Sequence, residues 1–280
     1  CLGSGVECLE CAVDFVAGLA GRAAAVVTDD FPARPHSVWI EALGARLRCP
    51  LIAVDGACVV PLGATDRVHD RAFAFRDATV RERARQLALR WPPFDWSRLR
   101  GPGSTDGRGA PDWRSCDIGE MVASLEIDHA VGPVVDTEGG SRAAEARWTT
   151  FLAGPIDDYA RDRNDAALPA TSRMSAYLHY GMIAPMRVAR EAHARGGEGA
   201  EKFLDELLVW RELAYHWCRR VPEHASIGGV PAWARETLAL HAKDDRQVVP
   251  RERLARGTTG VRLWDLAQRS LVVHGELHNN

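Results

Sequence analysis

In the first part of the chain, short apolar runs alternate with stretches whose apolar residues recur at helical spacing. Ala24–Thr28 and Leu51–Val54 are apolar runs suited to buried parallel strands, and an aspartate follows each of them. Between them, Val38–Leu47 places its apolar residues near helical spacing. This order predicts a strand–helix–strand unit, as expected of a doubly wound α/β domain over residues 1–100.

Farther along the chain, helical patterns replace the strand signals. Thr79-x-x-Glu82 has the form of a capping box, which predicts a helix from Thr79 to about Arg90. After Ser141 the predicted helices are Ala143–Leu152, Met174–Tyr180, Phe203–Arg220, Trp233–His241 and Leu263–Val273. Because no strand pattern interrupts them, residues 141–280 are predicted to form an all-α domain.

Residues 101–140 differ from both halves, because glycine and proline recur every few positions from Trp91 to Gly140. A phosphate-binding loop is not indicated, since no G-x-x-x-x-G-K motif occurs and no strand leads into the segment. This composition predicts a connector between the two domains.

The net charge of −3 does not by itself indicate nucleic-acid binding, so any DNA contact must come from a local patch. One candidate is the segment 246–269, where six arginines face only Glu252 and Asp265. Hydrophobic residues make up 46% and charged residues 26% of the chain, as in ordinary soluble domains. No apolar run approaches the roughly 20 residues of a membrane span, so no membrane partner is expected.

The seven cysteines show no regular spacing, which favours reduced thiols in a cytoplasmic or other reducing compartment. Cys8 and Cys11 form a C-x-x-C pair, but no second pair or histidine cluster completes a zinc site, and no metal is expected. The chain begins at Cys1 and stops at Asn280 within a helical pattern. We therefore expect a partial gene product rather than a processed, lipid-anchored terminus.

The segment Thr171–Ser175 carries three hydroxyls and a guanidinium where a helix is predicted to begin. The unpaired backbone N–H groups and the positive dipole end of a helix suit a diphosphate. The alternative is that Thr171 or Ser172 only caps the helix, which is the commoner use of such residues.

The segment Glu206–Glu212 combines a tryptophan with an arginine. Arg211 lies close to the apolar stripe of its predicted helix, so its charge requires a buried ion pair or an anionic ligand. Trp210 offers a flat face on which a base could stack. The alternative is a core tryptophan next to a surface salt bridge.

The last residues of the chain, His274–Asn280, offer two histidines four positions apart. A zinc site is not indicated, because the glutamate of an H-E-x-x-H motif is missing between them. Asn279 suits the polar edge of a base or of a flavin; otherwise it is a residue at a helix end.

Taken together, these stretches follow the order and approximate spacing of the DNA photolyase/cryptochrome family. Tyr159–Arg163 followed by Thr171–Gly181 resembles the family's flavin phosphate-binding segment, a tyrosine and then T-S-R-L-S-P-Y-L-x-F-G. Phe203–Leu213 resembles the helix that holds the isoalloxazine and touches the lesion. Two later segments, Ala232–Leu238 and Leu263–Gln268, most resemble the class II deoxyribodipyrimidine photolyases. Val27–Asp29 followed by Val38–Trp39 is similar to the antenna-type α/β domain of that class.

The resemblance implies an α/β Rossmann-like antenna domain, incomplete at its N-terminus, followed by an all-α FAD-binding domain. The residues that would bind FAD are Tyr159, Thr171, Ser172, Arg173, Met174, Ser175 and Arg211. The residues that would act at the lesion are Trp210, Glu206 and Asn279, and those that would contact DNA are Arg163, Trp210, Asn279 and Asn280. A second, antenna chromophore of unknown identity would accompany FAD.

The activity implied is the light-dependent repair of cyclobutane pyrimidine dimers by electron transfer from reduced FAD to a dimer flipped out of damaged DNA. Such a deoxyribodipyrimidine photo-lyase is a carbon–carbon lyase, expected here as a monomer in whichever compartment holds DNA. One alternative is a cryptochrome-like blue-light photoreceptor without repair activity. Another is a family member with neither activity.

Three positions depart from the family pattern. The T-S-R form of Thr171–Arg173 is more typical of class I photolyases, and Trp210 stands where class II often has arginine. Glu276 replaces the tryptophan of the class I pattern G-W-M-H-N. The class within the family therefore stays open.

Overall fold

The computed structural model describes residues 5–90, 95, 97, 116–130 and 132–278, with side chains described from residue 12 onward. Helices dominate this part of the chain. Its first elements are α1 (Gly5–Leu19), β1 (Val26–Asp29), α2 (His36–Arg46), β2 (Leu51–Val54), α3 (Ala72–Ala88) and α4 (Ile118–Ala123). The later helices are α5 (Ser141–Ala153), α6 (Pro155–Asp162), α7 (Ser175–His179), α8 (Pro185–Arg195), α9 (Gly197–Asp205), α10 (Arg211–Arg220), α11 (Ala232–Leu240), α12 (Arg251–Arg256) and α13 (Arg262–His274).

The strands β1 and β2 pair in parallel, with Val26 opposite Leu51, and α2 connects them. The predicted strand–helix–strand unit is therefore confirmed. The prediction that both strands are buried is wrong, since Val27 is 67% and Ile52 is 49% exposed. In the described part of the chain the sheet consists of these two strands, and helices do not cover both of its faces.

Helix α3 begins two turns before the predicted capping box. Ala72 and Phe75 are buried and extend the apolar face toward the N-terminus, so Thr79 lies inside the helix rather than at its start. The Thr79 hydroxyl donates to the carbonyl of Phe75 at 2.7 Å, and Glu82 pairs with Arg85 at 2.6 Å. The capping-box prediction is wrong because both side chains have these other partners.

The largest core cluster lies among α5, α6, α8 and α9, where aromatic rings from successive helices meet. The Phe203 ring lies 5.4 Å from the rings of Trp148 and Phe151. Helices α6 and α9 approach closely at Gly199, where an added Cβ would lie 2.0 Å from the carbonyl oxygen of Ile156. The all-α character predicted for this part of the chain is thus confirmed over its described residues.

The helix predicted over Phe203–Arg220 is longer and interrupted. It starts as α9, passes through a π-helical turn at Glu206–Trp210, and continues as α10. In this turn the N–H of Arg211 donates to the carbonyl of Glu206, five residues earlier. Such single π-turns are frequent at functional sites.

The predicted connector falls largely on residues that the structure does not describe, so the domain boundaries stay a prediction. Where the described chain resumes, Asp117 caps α4 by accepting from the N–H of Gly119 at 2.7 Å. Farther on, the Tyr177 hydroxyl donates to the carbonyl of Glu138 at 2.7 Å, which ties the connector's end to α7. None of the helices described is long and apolar enough to cross a membrane.

Candidate functional site

The 171–175 segment leads into α7, close to the predicted helix start. Met174 is buried, whereas Thr171 and Ser175 are exposed. Ser172 Oγ accepts from the N–H of Met174 at 3.4 Å, so this hydroxyl serves locally as a turn acceptor. The first N–H groups of α7 lack intrahelical acceptors, as at the start of any helix. These N–H groups and the two exposed hydroxyls fit the chemistry of a phosphate.

Arg173 is engaged by two carboxylates. Its Nη1 and Nη2 donate to the two oxygens of Asp136 at 3.0 and 3.3 Å, and its Nε donates to Glu276 Oε2 at 2.5 Å. Hydrogen bonding from Arg173 lowers the pKa of Asp136 to about 2. His274 Nδ1 lies 3.2 Å from the same carboxylate. Arg173 can therefore bind a phosphate only if Asp136 or Glu276 moves away from its guanidinium.

Tyr159 and Met174, both predicted to bind FAD, lie in the core. The Tyr159 ring meets the rings of Phe151 and Phe203 edge to face, at 5.7 and 5.6 Å between centroids. Burial, together with the nearby charge of Glu206, raises the pKa of Tyr159 to about 12. Both side chains can shape the wall of a pocket, but neither offers a charge to a ligand.

Arg163 and Glu206, predicted for the lesion side, lie together. Arg163 Nη1 is 3.1 Å from Glu206 Oε1, and Lys202 Nζ is 2.8 Å from the same oxygen. His278 Nε2 lies 3.0 Å from the carbonyl oxygen of Arg163, which brings the end of the described chain to this place. The predicted site residues Asn279 and Asn280 follow directly but lie outside the described residues.

Trp210 ends the π-turn and is 52% exposed, so it is not a core tryptophan. It stands four residues after Glu206 on the same helical segment. The wider turn of a π-helix changes the direction of the side chains that follow it, compared with an uninterrupted α-helix. An exposed indole thus lies one turn from the Arg163–Glu206 pair.

Arg211 contacts the loop that follows β2. Its Nη1 donates to the carbonyl of Ala57 at 2.6 Å, and its Nη2 donates to the Tyr215 hydroxyl at 3.3 Å. The guanidinium also stacks over the Tyr215 ring, 4.6 Å from the centroid. Its described partners are a carbonyl and a phenol, so the structure shows no ion pair of this guanidinium among the described residues, and the anionic ligand, FAD, stays a prediction.

Glu212, next in sequence, was not recognised as a site residue and proves to be fully buried. Its two carboxylate oxygens accept from the N–H groups of Val59 and Val60, at 2.6 and 2.9 Å. A carboxylate that binds two consecutive N–H groups fixes the path of that backbone. Glu212 thereby holds the loop after β2, residues 57–62, against α10.

Two further residues of α10 contact the 57–62 loop. His216 Nε2 lies 3.2 Å from the carbonyl oxygen of Val60, and Arg220 Nη2 donates to the carbonyl of Leu62 at 2.7 Å. Glu212 and His216 are four residues apart and follow Val209 on the buried face. This polar interruption of an apolar stripe was the signal in the sequence that a buried polar contact exists here.

A cavity of about 550 Å³ lies between the sheet and the helical part of the chain. Helices α1 and α2 and the residues after β1 line it, together with the turn after α7. The His36 ring lies 4.9 Å from the Phe31 ring and 5.2 Å from the Trp39 ring, and all three line the cavity. Asp29 and Asp30 add carboxylates to a lining in which apolar and aromatic residues predominate. Such walls suit a flat aromatic molecule.

The arginines of the segment 246–269 are only partly available to a ligand. Arg253 donates to the carbonyls of Thr258 and Thr259, and Arg269 donates to the carbonyl of Gly257. Arg246 binds the carbonyl of His241. The remaining arginines of this segment, all exposed, are Arg251, Arg256 and Arg262.

The ionisation of Glu212 and that of His216 change the free energy of unfolding in opposite directions as the pH rises. Burial raises the pKa of Glu212 from 4.5 to about 8, although its two backbone donors lower it, and burial lowers the pKa of His216 from 6.5 to about 4. Glu212 therefore favours folding at low pH and loses that contribution as the pH rises toward 8. His216 favours folding above pH 6.5 and loses that contribution as the pH falls toward 4.

Between pH 6.5 and 8 only the Glu212 contribution changes, so we expect the free energy of unfolding to fall there. One titrating proton gives a slope of at most about 1.4 kcal/mol per pH unit. Denaturant unfolding at several pH values in this interval measures the slope. Glu212→Gln, which cannot ionise, should remove it. A wild-type profile that stays flat would contradict the prediction.

No family model matches the chain. The chain is 31% identical over 281 residues to the deoxyribodipyrimidine photo-lyase of Oryza sativa subsp. japonica, covering 91% of this chain and 52% of that protein. It is 30% identical to the deoxyribodipyrimidine photo-lyase of Methanothermobacter thermautotrophicus, covering 92% and 56%. For the protein of the same name from Potorous tridactylus the identity is 28%, covering 90% and 47%. The chain thus spans about half the length of the curated relatives it matches.

Two solved structures share the fold. A bacterial class III photolyase from Agrobacterium tumefaciens matches with a TM-score of 0.67 at 20% identity, covering 99% of this chain and 55% of that one. A cryptochrome from Synechocystis sp. PCC6803 matches with a TM-score of 0.68 at 18% identity, covering 95% and 55%. The fold is therefore that of photolyases and cryptochromes. The curated relatives confirm the resemblance of the motifs to the DNA photolyase/cryptochrome family over the half of those proteins that this chain spans.

Proposed function

We propose that the protein is a deoxyribodipyrimidine photo-lyase, which uses light to split cyclobutane pyrimidine dimers in DNA. The observation that carries the proposal is Trp210, a half-exposed indole at the end of the π-turn that begins with Glu206 of the Arg163–Glu206 ion pair. An exposed aromatic face suits stacking on a base that has left the duplex. The relatives named deoxyribodipyrimidine photo-lyase support the same activity.

On the lesion side, Trp210 stacks on the flipped dimer and Glu206 accepts hydrogen bonds from its polar edge. Arg163 and Lys202 both contact the Glu206 carboxylate, so this group is held in place before any substrate arrives. A group fixed in advance loses little conformational freedom on binding. By resemblance, Asn279 and Asn280 complete the DNA contacts next to His278.

On the cofactor side, Thr171, Ser172, Ser175 and the first N–H groups of α7 hold the diphosphate of FAD. When bound, FAD supplies the electron that opens the dimer. Tyr159 and Met174 shape the pocket from within the core, in keeping with their burial. Arg173 and Arg211 belong to the same set by resemblance.

The cavity beside β1 is proposed to hold the second, light-harvesting chromophore. Its aromatic lining, in which neighbouring rings are tilted against one another, and its volume of about 550 Å³ support a flat ring system. The parallel β1–α2–β2 unit supports the finer prediction that residues 1–100 belong to a Rossmann-like antenna domain. The compartment is taken to be one that holds DNA.

Binding to the DNA backbone is assigned to the exposed arginines at positions 251, 256 and 262. Such contacts are independent of sequence and weaken as salt rises. Discrimination of the lesion then comes from Trp210 and its neighbours, so damaged DNA should bind more tightly than undamaged DNA at any salt concentration. We take the protein to act as a monomer.

Light-dependent repair by the purified full-length protein is the test. We expect flavin absorption, a further band from the second chromophore, and loss of dimers from an irradiated oligonucleotide in blue light but not in the dark. A flavin-containing protein that neither repairs dimers nor prefers damaged DNA would support the photoreceptor alternative. A protein that holds no flavin would exclude both functions.

A further inference from the structure

Arg173 combines an unusual backbone conformation with ion pairs to two carboxylates. Among the described residues it is the one residue other than glycine with a positive φ, at 53°. Its guanidinium makes four hydrogen bonds, three of them to the carboxylates of Asp136 and Glu276 and one to Thr137 Oγ1 at 3.1 Å. A strained backbone persists only where the surroundings fix it firmly. The ion pairs therefore define the conformation of the 171–175 segment.

The same ion pairs determine the charge that an arriving anion meets. Arg173 carries one positive charge, and Asp136 and Glu276 carry two negative charges between them. The cluster is thus formally negative beside the hydroxyls and N–H groups that suit a phosphate. The negative charges of the two carboxylates repel an anion that binds beside them, although water and salt weaken this repulsion at a partly exposed site.

We propose that Glu276 competes with the diphosphate of FAD for Arg173, so that binding of the cofactor displaces Glu276 from the guanidinium. The inference rests on the proposed function, because it assigns the diphosphate to the 171–175 segment. It adds a specific determinant of cofactor affinity at a position where the class I pattern has tryptophan. Because of this competition, the chain would bind FAD less tightly than it would without the charge of Glu276.

Glu276 is the partner that can leave, because it is held less firmly than Asp136. Arg173 binds Asp136 through both terminal nitrogens, and His274 lies beside that carboxylate as well. Glu276 contacts Arg173 through Nε alone. It follows Gly275, which ends α13 at a φ of 67°, so it belongs to a turn rather than to a helix. A turn can shift its side chain without unfolding an element.

The test compares Glu276→Gln with the wild type in binding FAD, riboflavin and inorganic pyrophosphate by titration calorimetry. Glutamine keeps the size of the side chain but removes its charge. We expect FAD and pyrophosphate to bind about three- to tenfold more tightly, as for one removed charge at a partly exposed site. Riboflavin, which has no phosphate, should bind unchanged. The gain should diminish as salt is raised.

Glu145→Gln is the matched control, since it removes a carboxylate that pairs with Arg187 at 2.8 Å on the surface of α5. It should leave all three affinities unchanged. Equal or weaker binding of FAD and pyrophosphate by Glu276→Gln would overturn the inference, and so would an equal gain for riboflavin. Failure of the wild type to bind FAD would refute the proposed function, whereas the pyrophosphate titration would still decide between competition and its absence.

Discussion

Glu212→Ala is expected to lower the free energy of unfolding by about 3–5 kcal/mol. The substitution leaves the N–H groups of Val59 and Val60 buried without their acceptor and opens a cavity where a fully buried side chain stood. An unsatisfied buried donor costs about 1–3 kcal/mol, and the lost packing adds to that. Denaturant unfolding of the variant and the wild type at one pH measures the difference.

Two further variants separate the polar contact from the packing. Glu212→Gln keeps the volume, but its amide can accept from only one of the two N–H groups, so we expect a loss of about 1–3 kcal/mol. Glu201→Gln changes an exposed residue of α9 and should stay within about 0.5 kcal/mol of the wild type. If Glu212→Ala were as stable as Glu201→Gln, the carboxylate would not be what holds the 57–62 loop to α10.

Helices with a clear apolar stripe could be predicted from the sequence, because their burial follows from one local periodicity. The helix pattern over Phe203–Arg220 is an example in its first half, where Phe203, Leu207 and Leu208 are buried. In its second half the pattern is a poorer guide, because the buried side chains there are Glu212 and His216. The π-turn at Glu206–Trp210 could not be predicted, since one extra residue in a turn leaves no distinct pattern of residue types. Yet this turn lies directly before Arg211 and precedes the contacts of α10 with the 57–62 loop.

The errors of the sequence interpretation concern which groups the polar side chains bind, both near in the chain and far along it. Thr79 has the residue type of a helix cap, but apolar residues before it extend α3, and its hydroxyl binds Phe75 instead. Arg211 was expected to need a buried ion pair or an anionic ligand, and the acceptor that the structure shows is the carbonyl of Ala57, 154 residues away. Local sequence rules predict correctly that a buried polar side chain needs a hydrogen-bond or ionic partner. They do not identify which group of the folded chain is that partner.

The grouping of Arg163, Glu206 and Trp210 was inferred from the family resemblance. The structure pairs Arg163 with Glu206 and places Trp210 at the other end of the π-turn that Glu206 begins. The roles assigned to them are proposals that substitution can test. Trp210 is the most informative of the three to substitute, because an exposed side chain can be removed to test DNA binding with little effect on the stability of the fold. A half-exposed indole contributes little to the core, so its removal should change the free energy of unfolding only slightly.

Trp210→Ala is expected to weaken binding to dimer-containing DNA by roughly ten- to a hundredfold. Stacking of one base on an aromatic side chain contributes about 1–3 kcal/mol, and each 1.4 kcal/mol corresponds to about a factor of ten. Flavin content should stay at the wild-type level, since the indole belongs to the lesion side. Trp210→Phe, which keeps an aromatic face, should recover most of the affinity.

Trp233→Ala is the matched control, because it removes another exposed indole, from α11, that has no proposed contact with DNA. Lesion affinity, affinity for undamaged DNA, flavin content and unfolding are measured for all three variants. The stacking role predicts a loss confined to damaged DNA and to Trp210→Ala, because undamaged DNA presents no flipped base to the ring. An equal loss on both DNAs would instead make Trp210 a general DNA contact. Unfolding of Trp210→Ala, or unchanged lesion affinity, would contradict the assignment of this residue to the substrate side.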